Sequence, residues 1–204
     1  YRVKKMKKIA VIRQKGSYPG KILLFLGFLA GMLISNLGYR FMWKQQAFSS
    51  LYTLGLMGKS TNLGMEYLWQ IIRMRGGIFL FLLLCGFTVF GVPLAVVTML
   101  EMGIELGMVI VLSILEFGAA GGLVALALLF PQYLIYIPVF FKVLPLVYIE
   151  SLEIWKNHGI FPSKAGNYLG KSLLYALYYS TGILLEWYLN PWITEKILEL
   201  VNFF

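Results

Sequence analysis

Apolar residues fall in three blocks separated by polar stretches, and none of the blocks alternates with the period of two that a strand requires. The first runs from about Ile22 to Leu37, close to the minimum for a helix crossing about 30 Å of hydrocarbon. Tyr39, Arg40, Trp43 and Lys44 follow it as an aromatic and basic interfacial belt. Residues 39–76 are mixed in polarity. Gly55, Gly58, Lys59, Ser60, Asn62 and Gly64 interrupt any long helix there, and Met65–Ile72 has the amphipathic pattern of a short helix lying on the membrane surface.

From Gly76 to Ile149 the chain is almost continuously apolar, broken by Glu101, Glu105, Glu116, Gln132 and Lys142. At a rise of about 1.5 Å per residue this length suits three crossings. They are expected at Gly77 to about Val97, Gly103 to Leu115, and Gly121 to Tyr148, with turns near Glu101 and Glu116. Pro93 should kink the first of these. Pro131, Pro138 and Pro145 recur at equal spacing and suggest a broken or re-entrant element, whose freed backbone must be buried in protein or hydrated. A polar loop over 151–170 precedes a last span at 171–190, ended by Pro191 and flanked by Trp187, Tyr188 and Trp192. The pattern therefore predicts one all-α domain over 1–204, a polytopic helical membrane protein of about five transmembrane helices.

Composition strengthens this picture. The chain is 59% hydrophobic and 13% charged, with mean hydropathy +0.77. A soluble domain averages about 45–50% apolar and about 25% charged residues, and has nowhere to bury such a surplus.

Charge sets the expected orientation. Of the net charge of +9, Arg2, Lys4, Lys5, Lys7, Lys8, Arg13, Lys15 and Lys21 precede the first apolar block with no acid among them. Beside a membrane helix, such a run favours a cytoplasmic N-terminus near anionic lipid over nucleic acid. It resembles the n-region of a signal peptide, but no small-residue cleavage site follows, which makes an anchor the expectation. The 151–170 loop, with Lys156, Lys164 and the adjoining Lys171, would then be cytoplasmic, while Arg40, Lys44, Lys59, Arg73 and Arg75 in the 39–76 loop strain the positive-inside rule.

Candidate chemistry is sparse. Cys85 is a lone cysteine in an apolar run, His158 is the single histidine, and the chain contains no Asp. No triad, metal set or cofactor fingerprint results, so neither enzymatic activity nor a cofactor is expected. Glu101 and Glu105 share a helix face if the helix is continuous, where with Glu116 they would suggest a proton or cation path; the alternative is a solvated turn. Gly27 with Gly31, Gly103 with Gly107, and Gly118 with Gly122 have small residues at helix-packing spacing. Pro131, Gln132 and Pro138 join Glu101, Glu105 and Glu116 as a candidate intramembrane polar or partner site.

The stretch from about Arg73 to Phe141 resembles the stage II sporulation protein M family. The likeness is carried by Phe90-Gly91-Val92-Pro93-Leu94, by Gly103-Ile104-Glu105-Leu106-Gly107, and by Phe130-Pro131-Gln132-Tyr133 continuing through Pro138 to Phe140. Many relatives have an acid where Tyr136 stands. The resemblance implies a multi-pass protein of the bacterial cytoplasmic membrane. It also implies a noncatalytic scaffold that recruits peptidoglycan-remodelling partners during engulfment, as part of a homo- or hetero-oligomer. Relatives that occur alongside ABC-type ATPases imply the alternative of an exporter permease subunit.

Overall fold

The computed structural model describes residues 18–42, 65–157 and 165–200. It is all-α: α1 (Gly20–Met42), α2 (Met65–Cys85), α3 (Gly91–Phe117), α4 (Gly121–Leu129), α5 (Tyr133–Asn157) and α6 (Ala165–Leu200). Segments Gly20–Gly38, Met65–Cys85, Gly91–Leu129 and Tyr133–Lys156 are long and apolar enough to cross a membrane. The chain is a polytopic helical membrane protein, with many large apolar side chains on its perimeter, such as Phe25, Leu33, Phe81, Leu126 and Leu173.

The traverses are divided differently from the hydropathy pattern. Met65–Ile71 is not a separate surface helix, because a π-helical segment, Ile72–Gly76, joins it to Gly77–Cys85 in one rod. The reversal after this rod lies at 86–90, not near Glu101. Its residues are mostly apolar, so hydropathy does not mark it. It is held by backbone bonds from Gly86, Phe87 and Thr88 to the carbonyls of Leu83, Leu84 and Cys85, and by Thr88 Oγ1, which donates to Cys85 O and accepts from Phe90 N–H. Glu101 and Glu105 consequently lie inside the 27-residue α3. Pro93 occupies its first turn and causes no kink, because the N–H that proline lacks would have no helical partner there.

At the far end of α3, Gly118 has φ +60°, a backbone conformation that side chains disfavour. The chain folds back there, and a Cβ on Gly121 would fall on the Ser113 carbonyl oxygen, so α4 packs tightly against α3. The break expected around the prolines is confined to residues 130–132, between α4 and α5, with a cis Phe130–Pro131 bond. Pro138 and Pro145 lie within continuous α5, and Pro191 lies within α6 instead of ending it. A buried or membrane-flanked helix keeps its course through a proline when packing on both sides outweighs one lost hydrogen bond.

Interlocking glycines join α1 to α3. A Cβ at Gly27 would strike the Leu100 carbonyl, one at Gly31 the Ile104 carbonyl, one at Gly103 the Leu24 carbonyl and one at Gly107 the Phe28 carbonyl. The two small-xxx-small patterns thus meet each other, and the backbones touch. Gly118 and Gly122, by contrast, have nothing within 4 Å of a built Cβ, and the close approach expected of that pair is made by Gly121.

Tyr18 donates to Ala95 O, Ser151 Oγ to Cys85 O and Tyr168 OH to Leu83 O. The start of α1, the 86–90 reversal, the end of α5 and the start of α6 therefore share one end of the bundle. The Gly118–Ala120 reversal lies at the other.

Candidate functional site

Near the middle of the bundle, four helices bring charged and aromatic groups together. The π-segment of α2 supplies Arg75. A π-turn holds one extra residue, as shown by Gly77 N–H reaching Ile72 O, and so rotates the Gly77–Cys85 half of the rod relative to the Met65–Ile71 half. Arg75 points inward while Ile71 and Phe79, on either side of the segment, also remain buried.

Arg75 Nε donates to Glu186 Oε1 at 2.9 Å, and its Nη2 to Glu105 Oε1 at 3.3 Å. The second oxygen of Glu186 accepts from Tyr136 OH at 2.7 Å. The guanidinium carbon lies 5.4 Å from the ring centroid of Tyr136 and 5.7 Å from that of Tyr133, within cation–π range. Tyr136 leans on Tyr179, which stacks on Phe79 with centroids 4.0 Å apart. Gly182 leaves the room this needs, since a Cβ there would be 2.5 Å from Tyr136 Cε1.

The two carboxylates differ. Glu186 is only 11% exposed, whereas Glu105 is 43% exposed, so the tight pair is Arg75 with Glu186, and Glu105 closes the cluster from its edge. A buried guanidinium and carboxylate must each be paired, because an unpaired charge in a low-dielectric interior is costly.

One turn further along α6, Asn190 meets the break. Its Nδ2 lies 3.0 Å from Ala127 O, 3.2 Å from Leu128 O, 3.3 Å from Phe130 O and 3.1 Å from Gln132 Oε1, and Gln132 Nε2 donates to Leu128 O at 2.6 Å. These carbonyls belong to the end of α4 and the residue after it, where helical partners run out. Asn190 and Gln132 satisfy them within protein, as backbone at membrane depth demands.

Of the residues singled out from sequence, Glu105 is in the charged cluster, and Gln132 and Pro131 are buried in the break. Glu101 is exposed one turn from Glu105 and outside the cluster, Glu116 lies near the end of α3, and Pro138 is exposed on α5. The six do not form one site. Arg75, Glu186, Tyr136 and Asn190 complete the two clusters and are not among the six. Glu186 carried a readable signal as the single acid between Ser172 and Leu189. Arg75 fell within the stretch of mixed polarity read as the 39–76 loop. Among the described residues, no group of three or more His, Cys, Asp or Glu side chains is placed to hold a metal ion.

Comparisons of the chain with protein-family models, curated proteins and solved structures each return no match.

Proposed function

We propose that this chain is a noncatalytic membrane scaffold of the stage II sporulation protein M type, recruiting peptidoglycan-remodelling partners during engulfment. It would lie in the bacterial cytoplasmic membrane with its N-terminus inside. The observation that carries the reading is the mutual satisfaction of the interior polar groups. Arg75, Glu186 and Tyr136 bind one another, and Asn190 and Gln132 serve the broken backbone. These groups hold helices together, which is what a rigid platform for partners requires.

The alternative, a permease subunit of an ABC-type exporter, draws on a different observation. A span interrupted at 130–132 beside a charged cluster is the arrangement from which helical transporters build midplane sites. Affinity purification of the full chain from native membranes in mild detergent separates the two. Peptidoglycan hydrolases in the complex are the expected result. Recovery of a nucleotide-binding subunit would replace the scaffold reading by the permease reading.

A further inference from the structure

The α2–α3 hairpin carries two charges that its interior does not use. Arg73 is exposed on α2, two residues from the inward-facing Arg75, and Glu101 is exposed on α3, one turn from Glu105. Neither makes a hydrogen bond or ion pair with another described residue. Both belong to segments apolar enough to cross a membrane. A guanidinium or carboxylate facing hydrocarbon costs several kcal/mol by most measures unless it is paired or reaches the interface.

Their depths match. Measured from the 86–90 reversal, Arg73 lies twelve residues before Cys85, or about 18 Å, and Glu101 ten residues after Gly91, or about 15 Å. By the same measure Arg75 and Glu105 differ by about 6 Å, and they are bonded. A two-fold axis along the membrane normal preserves depth, so in a symmetric pair each copy would offer Arg73 to the Glu101 of the other. One cation and one anion, both exposed and at one level on one hairpin, make the hairpin self-complementary. A partner bearing only a lysine or arginine would leave Arg73 unmet, and one bearing only an acid would leave Glu101 unmet.

We infer that the exposed face of the α2–α3 hairpin is an interface between two copies of this chain, closed by reciprocal Arg73–Glu101 contacts at mid-membrane depth. The inference deepens the scaffold reading, since a paired platform presents its partner surface twice. Co-purification of partners and self-association are separate readouts, so either can fail alone.

The test is energy transfer between donor- and acceptor-labelled full-length copies in phosphatidylcholine vesicles at decreasing protein-to-lipid ratio. Wild-type copies should associate. Arg73→Glu alone and Glu101→Arg alone should each weaken association by roughly tenfold for every ion pair removed, since an interhelical polar contact in model peptides contributes about 1–2 kcal/mol. An equimolar mixture of the two variants should associate like wild type, because both ion pairs are then restored, one in its native sense and the other with its charges exchanged. Wild-type transfer no higher than random collision overturns the inference, as does a mixture no better than either variant alone. The mixture also guards against misfolding, because a collapsed variant would not be rescued by its counterpart.

Discussion

At the residue scale, Arg75 ties three helices together, bonded to Glu186 and Glu105 and lying against two tyrosine rings. Removing it leaves Glu186, at 11% exposure, a buried carboxylate whose remaining hydrogen bond among the described residues is the one from Tyr136. Arg75→Met should therefore lower the unfolding free energy by about 3–5 kcal/mol, the usual cost of orphaning a buried partner. Glu105→Gln should cost less than Arg75→Met, because it removes the longer 3.3 Å contact, leaves a neutral amide that can still accept from Arg75, and leaves the Arg75–Glu186 pair intact. The pair Arg75→Met with Glu186→Leu should recover much of the single-variant loss, since no uncompensated charge remains. Thermal unfolding in detergent, followed by circular dichroism, reads all three; equal losses for Arg75→Met and Glu105→Gln would show that the Glu186 contact is not the dominant one. Legibility at this scale was partial. A single acid within an apolar run points to a partner. Which cation answers it depends on a π-turn that rotates Arg75 inward, and neighbouring residues gave no sign of that turn.

At the scale of elements, the α1–α3 contact was legible as two glycine patterns, but their mutual pairing needed the fold. Backbone contact there leaves no space for a side chain, so Gly103→Leu and Gly27→Leu should separate α1 from α3. Gly122→Leu, where a Cβ meets nothing within 4 Å, should be tolerated. Limited proteolysis of vesicle-reconstituted protein compares the three, and similar protection of all of them would mean that the glycine contact does not hold α1 in place. The break between α4 and α5 makes a second prediction. Asn190 covers carbonyls at the end of α4, so Asn190→Leu should cost about 1–3 kcal/mol for buried acceptors left unserved, while Asn190→Gln should lose less. Equal stability of Asn190→Leu and wild type in the same unfolding assay would contradict that role. The proline spacing indicated an irregular segment but not its place. Pro138 and Pro145 are held in a helix whose flanks are packed, and Pro131 alone falls where the helix stops.

At the scale of the molecule, hydropathy correctly implied an all-α bundle that crosses the membrane repeatedly, but it misplaced the first reversal. Residues 86–90, mostly apolar, turn by backbone bonding and a threonine hydroxyl, whereas polar Glu101 lies inside α3, one turn from Glu105, which pairs with Arg75 of α2. This shift changes the charge accounting. Arg73 and Arg75 belong to α2 and not to the connection before it, which leaves Arg40, Lys44 and Lys59 of the five cations that had strained an N-inside orientation. The seven cations before α1, Lys21 in its first turn, and Lys156, by contrast, lead to the end of the bundle shared by Tyr18, the 86–90 reversal and the start of α6. The positive-inside rule then favours that end as cytoplasmic more strongly than the sequence pattern alone did. In a Cys85→Ser background, single cysteines at Thr88 and Trp155 should react with a membrane-impermeant maleimide only in inverted vesicles, and one at Ala119 only in intact cells. Labelling of position 88 in intact cells would invert the molecule. Labelling of positions 88 and 119 from the same side would instead deny that α3 crosses, and with it the mid-membrane depth of Arg75, Glu105 and Glu186 on which the residue-scale energetics depend.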